Sequence, residues 1–278
     1  MNSFLLRFPQ GKSKLFTISY DDGVEQDIQL VELMKKYGIK GTFNINSRRF
    51  APEGKCWPEG FVQRRMTAYM TKKAYDTPLV EVAVHGAAHL YPSFVPSSVA
   101  MCEFIDDRRE LEKMFGRLIR GGAYPFGRYN DDTIDILSKA GIVYCRTTVA
   151  TKTFDLPGNW LKLDPTCHHN DPRLFELCDR FLSEEPRYLP YFFYVWGHSY
   201  EFEDRDNWDR IEQLFKCVSG KEEVWYCTNI EAYDYIKAYE QLIFSADGSI
   251  VHNPTATDLW ANCDGNTVHI PAGETVTL

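Results

Sequence analysis

Hydrophobic positions in this chain alternate between two textures. Short apolar runs rich in β-branched and aromatic residues, each stopped by a breaker or a charge, read as buried strands; longer stretches with apolar residues three and four apart read as helices. Strands are predicted over residues 15–20, 42–45, 80–84, 121–124, 142–147, 191–196 and 224–227. Helices are predicted over 27–37, 105–119, 131–140, 173–182, 208–218 and 230–242. The first of these stops at Gly38 and the third at Gly141, residues suited to a helix C-terminus. Residues 47–78, with their Pro, Gly, Arg and Trp, read as a long insertion holding some helix.

Strands that are mostly followed by helices imply parallel pairing through right-handed crossovers. An open doubly wound sheet and a closed barrel both satisfy that order, and the polar residues choose between them. Asp21, Asp22, His85, the 124–127 loop and His198 each fall just past the C-terminal end of a predicted strand. A β/α barrel gathers those ends around one mouth. The expectation is an α/β fold, a distorted (β/α)7 barrel over residues 1–242. From about Phe244 the texture changes: Asp247-Gly248 is a hairpin turn signal, and short strands are predicted near 258–260, 267–270 and 275–277. Residues 243–278 are expected to form a small β extension packed on the barrel, being too few to hold a core alone.

Composition narrows the class. With 44% hydrophobic and 25% charged residues the 278-residue chain is an ordinary globular protein. A net charge of −8, with no basic cluster beyond pairs such as Arg64-Arg65 and Arg108-Arg109, speaks against a nucleic-acid surface. No apolar run approaches the ~20 residues of a membrane span, and residues 1–7 lack the apolar core of a signal peptide, ~7–15 residues long. A cytoplasmic location without membrane or nucleic-acid partners is expected. The eight cysteines form no C-x-x-C pair, so neither a thiolate zinc site nor a disulfide framework is indicated.

Candidate chemistry concentrates at two strand ends. The run before Asp21-Asp22-Gly23 stops at two adjacent carboxylates, costly beside a buried strand because like charges repel and burial removes solvation. A metal ion relieves that cost if one carboxylate binds it and the other faces its water; an Asp-rich turn using Gly23 is the plainer alternative for the dipeptide alone. His85 and His89 stand four residues apart, the spacing that puts two imidazoles on one face of a helical turn. With Asp22 they make a His-His-carboxylate set, the ligand type of a catalytic zinc site with a place for water, although iron accepts the same set.

The motifs together resemble those of the NodB-type polysaccharide deacetylases, carbohydrate esterase family 4. Ser19-Tyr20-Asp21-Asp22-Gly23 resembles the first motif, T-F-D-D-G; His85 to His89 the second, H-S/T-x-x-H; Ala123-Tyr124-Pro125-Phe126-Gly127 the third, R-x-P-Y/F-G; and Trp196-Gly197-His198 stands where the last, L-x-H, falls. The likeness covers about residues 14–240. It implies a NodB-like barrel and a hydrolase that removes acetyl groups from N-acetylated, or O-acetylated, sugars. Asp22, His85 and His89 would bind a divalent metal, zinc first, with cobalt, nickel or iron(II) as alternatives. Asp21 would be the general base and His198 the proton donor to the leaving amine. The backbone N–H of Phe126 would stabilise the oxyanion, with Tyr124 and Trp160 lining the substrate site. An allantoinase-like amidohydrolase acting on a small linear or cyclic amide, or a sugar-binding homologue without catalysis, are the rival readings. Departures from the pattern are specific. Ala123 stands in the place of the usual arginine, leaving Arg128 or Arg146 to replace it. Gly86 stands in place of Ser or Thr. Asn159-Trp160 is the best match to the fourth motif, with Asp155 or Asp164 as the acid that would orient His198. His168-His169 and the aromatics Trp57, Tyr91, Tyr129 and Tyr200 fall in proposed mouth loops.

Overall fold

The computed structural model describes residues 3–278. In chain order the strands are β1 (Phe4–Arg7), β2 (Lys14–Asp21), β3 (Gly41–Ile45), β4 (Val80–Val84), β5 (Gly121–Ala123), β6 (Tyr144–Arg146), β7 (Cys167–His168), β8 (Tyr191–Gly197), β9 (Val224–Tyr226), β10 (Ile243–Phe244), β11 (Ile250–His252), β12 (Leu259–Cys263), β13 (Asn266–Ile270) and β14 (Thr275–Thr277). The α-helices are α1 (Gln26–Tyr37), α2 (Ala68–Tyr75), α3 (Ser97–Phe115), α4 (Asp131–Lys139), α5 (Leu174–Ser183), α6 (Tyr200–Asp204), α7 (Trp208–Val218) and α8 (Asn229–Tyr239). None is long and apolar enough to cross a membrane.

β2 organises the parallel sheet. All eight of its residues are buried, as in a strand covered on both faces. It pairs in parallel with β3 on one side and with β8 on the other, in the order β6-β5-β4-β3-β2-β8-β7. The sheet curls until its ends meet across residues 163–168. Leu163 exchanges backbone hydrogen bonds with Cys145 and Thr147 beside β6, and β7 then pairs with β8. The result is the distorted seven-stranded β/α barrel. One strand assignment is corrected. Residues 224–226 do form β9, but it pairs only with Lys14–Phe16 at the base of β2 and lies off the ring. The seventh place belongs to the two-residue β7, too short to show a period; before it, Trp160–Lys162 form a 3₁₀ turn.

The period of two along β2 places the chemistry. Phe16, Ile18 and Tyr20 join the core cluster that includes Leu30 and Met34 of α1 and Phe104 of α3. Thr17, Ser19 and Asp21 take the opposite, inward register, into a barrel interior that is polar: Asn44 Nδ2 donates to Ser19 Oγ at 2.7 Å, Thr42 to Glu81 at 2.8 Å, and Tyr144 OH to Glu81 at 2.6 Å. Asp21 is the last inward rung.

The C-terminal segment makes two antiparallel three-stranded sheets, β1-β12-β13 and β10-β11-β14. β1 comes from the other end of the chain and had no counterpart among the predicted strands. Val251, Leu259, Ala261 and Ile270 pack in one cluster with Leu6, Phe8, Tyr235 and Ile236. α3 begins at Ser97 behind Pro96, eight residues before the predicted start at 105, because proline opens a helix where apolar periodicity is still absent.

Candidate active site

Asp22, His85 and His89 meet at the C-terminal mouth, with one donor atom from each within 4.8 Å of the others. The two Nε2 atoms are 3.2 Å apart, and His89 Nε2 is 3.7 Å from Asp22 Oδ1. Donors ~2.0–2.1 Å from a tetrahedral zinc are separated by about 3.3 Å, so the set fits a divalent ion. The ring orientation fits as well. His85 Nδ1 lies 2.8 Å from the Ala123 carbonyl, which only accepts, so Nδ1 carries the proton and Nε2 presents its lone pair. Burial holds both imidazoles neutral, the ligand form: His85 below its ordinary range, and His89, next to His85, down to about 4. Asp22 is itself braced: Gln63 Nε2 donates to Oδ2 at 2.9 Å, Arg65 Nη2 to Oδ1 at 2.8 Å, and Arg65 Nη1 to the Asp22 carbonyl. Both partners come from the 47–78 insertion, where sequence offered no signal for them.

The loop that carries the histidines is held from α3. Glu103 Oε2 accepts the Ala88 N–H at 2.8 Å and Asp107 Oδ2 accepts the His85 N–H at 2.9 Å. Gly86 sits at φ +72°, where a side chain is strained and its Cβ would lie 3.3 Å from Pro125. A Ser or Thr brace at this position is therefore replaced by Glu103. Asp22, His89 and Phe126 also adopt left-handed backbone, at φ 85°, 59° and 58°; such strain in non-glycine residues gathers at functional sites.

Asp21 points at the other side of the same space. Its Oδ1 accepts from Asn44 at 2.8 Å, its Oδ2 pairs with the buried Arg146, and His85 Nε2 is 3.8 Å away. Burial pushes this carboxyl up, but Arg146, with His85, His198 and Asn44, outweighs it and holds the group at about 2. Arg146 lies over the Trp196 ring, 4.2 Å from its centroid.

His198 closes the mouth with Nε2 3.9 Å from Asp21 Oδ2. Its Nδ1 is 2.8 Å from Glu201 Oε1, three residues on in α6. Burial lowers this ring's affinity for a proton, yet Glu201, then Asp21 and Asp22, raise it above the ordinary histidine range. Glu201 is the hub of the second histidine pair: His168 Nε2 and His169 Nε2 lie 3.4 and 3.5 Å from its oxygens, and Asn170 Nδ2 donates to Oε2 at 2.8 Å. His169 is fully buried, stacked on Tyr20, and held neutral by burial at about 3.

Asp21, Asp22, His85, His89 and His198 line a cavity of about 490 Å³ together with Tyr124, Phe126, Trp196 and Tyr200, whereas His168, His169 and Glu201 do not reach it. Trp160 is not brought here. It is buried below the barrel wall, edge-on to Phe192 and Tyr233, and Trp196 is the tryptophan that lines the cavity. Phe126 stacks on Tyr91 with ring centroids 3.8 Å apart and meets His89 edge-on. Trp57 stacks on Phe61 outside the cavity, and Tyr129 stacks on Tyr124.

The polysaccharide deacetylase family model matches residues 9–145, which include the Asp21-Asp22 pair, the histidine loop and the 124–127 loop. Over that stretch, just under half of its length, the chain is similar to the polysaccharide deacetylase family. Among solved structures, a Mycobacterium smegmatis protein assigned as a polysaccharide deacetylase is 12% identical with a TM-score of 0.59, over 85% of this chain and 94% of that one. The Xyl-CE4 domain of a multidomain xylanase from the hindgut metagenome of Trinervitermes trinervoides is 11% identical with a TM-score of 0.55, over 81% and 92%. Both likenesses concern the fold. Streptococcus pyogenes deacetylase PplD, solved with acetate, is 21% identical with a TM-score of 0.46 over 52% of this chain, and the chain spans 61% of its length. No curated protein matches the sequence.

Against the polysaccharide deacetylase pattern, two departures find a physical answer. Arg146 occupies the place left by Ala123: the two residues are direct register partners across β5 and β6, so the cation arrives from the neighbouring strand. Arg128 forms no ion pair among the described residues. The acid on His198 is Glu201, not Asp155 or Asp164. Asp164 accepts from Thr147, and Asp155 lines a separate cavity with Glu184 and Tyr188. The H-x-x-E spacing at a helix start was the signal that could have found Glu201.

Proposed function

We propose that this chain is a metal-dependent deacetylase of N-acetylated, or O-acetylated, sugars, with zinc as the first candidate metal. The observation that carries the reading is the convergence of a metal-fitting set, Asp22, His85 and His89, with two proton-handling groups, Asp21 and His198, on one cavity. A divalent ion bound by that set would polarise the acetyl carbonyl and acidify water beside it. Asp21, kept ionised by Arg146 and Asn44, accepts the proton that the attacking water gives up. His198, oriented through Nδ1 by Glu201, presents Nε2 to the leaving nitrogen and supplies its proton. The 124–127 turn carries the Phe126 amide toward the developing oxyanion. Residues 243–278 are assigned a supporting role, since none of them lines the cavity.

The test is acetate release by zinc-loaded protein from N-acetylated oligosaccharides, run beside hydrolysis of small linear and cyclic amides. Acetate from the saccharides is the expected result. Turnover of the small amides alone would move the chain to the amidohydrolase reading, and no turnover by a metal-loaded protein would leave a binding homologue.

A further inference from the structure

His168 lies behind the cavity wall, and the proposed reaction gives it no step. Its surroundings are nonetheless specific. His168 Nδ1 accepts the Asn170 backbone N–H at 3.1 Å, so the proton of the ring sits on Nε2. That nitrogen is 3.4 Å from Glu201 Oε1, the same oxygen that lies 2.8 Å from His198 Nδ1. The His168 ring stands edge-on to Trp196, with centroids 4.8 Å apart. The other oxygen of Glu201 has separate contacts. Asn170 Nδ2 donates to Oε2 at 2.8 Å, His169 Nε2 is 3.5 Å away, and the exposed Arg205 comes only to 3.9 Å. Glu201 belongs to the five-residue α6, and a glutamate there would otherwise keep much of its rotamer freedom. Donor atoms of His168, His198 and Glu201 also lie within 4.8 Å of one another, a spacing that a metal could use. Metal binding at His168 Nε2 would require its proton on Nδ1, where the Asn170 N–H already points, so the cluster is a hydrogen-bonded one.

We propose that His168 is a positioning residue for proton donation: its Nε2–H pins Glu201, and Glu201 held in this way aims His198 at the leaving nitrogen. This rests on the deacetylase reading and deepens it. His168 does not reach the cavity and acts through Glu201 alone. As the C–N bond breaks, the proton on His198 Nε2 passes to the nitrogen, while Nδ1 keeps its own proton toward Glu201. An amine leaves poorly without that proton, whereas a nitrophenolate leaves without it. His168 is therefore needed for amides and dispensable for an activated ester.

The test compares two substrates of zinc-loaded protein, a β-1,4-linked N-acetylglucosamine tetramer and 4-nitrophenyl acetate. His168→Phe keeps an aromatic ring against Trp196 but offers no N–H, and His168→Gln offers an amide N–H instead. On the tetramer, His168→Phe is expected to lower kcat roughly 10–100-fold with KM nearly unchanged, the range for a hydrogen bond to a charged group. Ester turnover stays at the wild-type level, and His168→Gln recovers most of the loss on the tetramer. In a His198→Ala background His168→Phe costs nothing further, because the two residues act as one unit. Equal losses on both substrates, no loss on the tetramer, or a loss that persists beside His198→Ala overturns the proposal. So does a second zinc ion per chain that His168→Phe removes, since the cluster would then be a metal site. If wild type releases no acetate from the tetramer, the deacetylase reading fails, and nuclear magnetic resonance of isotope-labelled histidines decides the positioning role. The His198 Nδ1–H should exchange slowly with water in wild type and His168→Gln and faster in His168→Phe. Equal exchange in wild type and His168→Phe overturns the proposal.

Discussion

At the scale of the residue, neighbours in sequence have different work because they leave a strand in different directions. Asp21 ends the inward register of β2 and meets Arg146; Asp22 turns through left-handed backbone toward His89. Asp21→Asn should therefore leave metal content nearly unchanged while turnover falls by roughly 10²–10⁴, the share of general-base help. Asp22→Asn should weaken metal binding, because a neutral amide is a poorer ligand, and excess metal should restore part of its activity but none to Asp21→Asn. Turnover measured against metal concentration separates them; rescue of the Asp21 variant would reverse the roles. Arg146→Met leaves the buried Asp21 without its cation and should cost about 3–5 kcal/mol in stability, read by denaturant unfolding. A loss under 1 kcal/mol would show that Asn44 suffices. The convergence of Asp21, Asp22, His85 and His198 could be read from sequence because each follows an apolar run that announces a strand end. Arg146 and Glu201 could not be assigned that way. One depends on which residues of β5 and β6 stand opposite each other, and the other on a helix of five residues.

At the scale of the element, strong periodicity carried over and short elements did not. α1, α4 and α7 lie within a residue or so of their predicted bounds, whereas β7 has two residues and no period to read. The strands also carry a feature that hydropathy hides. The residues pointing into the barrel are polar, and Glu81 of β4 is buried among Thr42, Tyr144 and the Ile230 N–H. Burial dominates these donors and pushes the Glu81 carboxyl up to about 7. The folded chain therefore holds this proton up to about pH 7, where an unfolded chain loses it near pH 4.3. Between those values the folded state binds more protons, so Glu81 makes stability fall as pH rises from about 4 to about 7, with no further loss above. Glu81→Gln cannot ionise. Relative to wild type it should gain up to about 3 kcal/mol between pH 4.5 and pH 8. Urea midpoints for both proteins at the two pH values measure the difference, and parallel curves would mean that the three donors keep Glu81 ionised throughout.

At the scale of the whole molecule, both ends of the chain meet beneath the barrel, away from the mouth. β1 pairs along its length with β12, the Tyr235 hydroxyl donates to the Arg7 carbonyl at 2.7 Å, and the Trp260 N–H donates to that hydroxyl at 3.0 Å. Turn residues such as Asp247-Gly248 made the C-terminal strands legible. Nothing in residues 4–7 announced a partner more than 250 positions away, since an edge pairing follows from the completed fold and not from local pattern. Deleting residues 243–278 would leave β1 unpaired and uncover Leu6, Phe8 and Ile236, apolar side chains whose burial is worth roughly 1.5–3 kcal/mol each. The shortened chain should unfold at lower temperature and aggregate more readily, but whatever fraction stays folded should keep its metal and its turnover per folded molecule. A gentler change makes the same point without removing a sheet. Leu259→Ala, at a fully buried position in β12, should cost about 2–5 kcal/mol and leave kcat and KM unchanged. Thermal unfolding, metal content and kinetics on both proteins separate support from catalysis. A folded, metal-loaded variant of either kind that has lost turnover would show that the segment shapes the cavity from below, and the division at residue 242 would have to be given up.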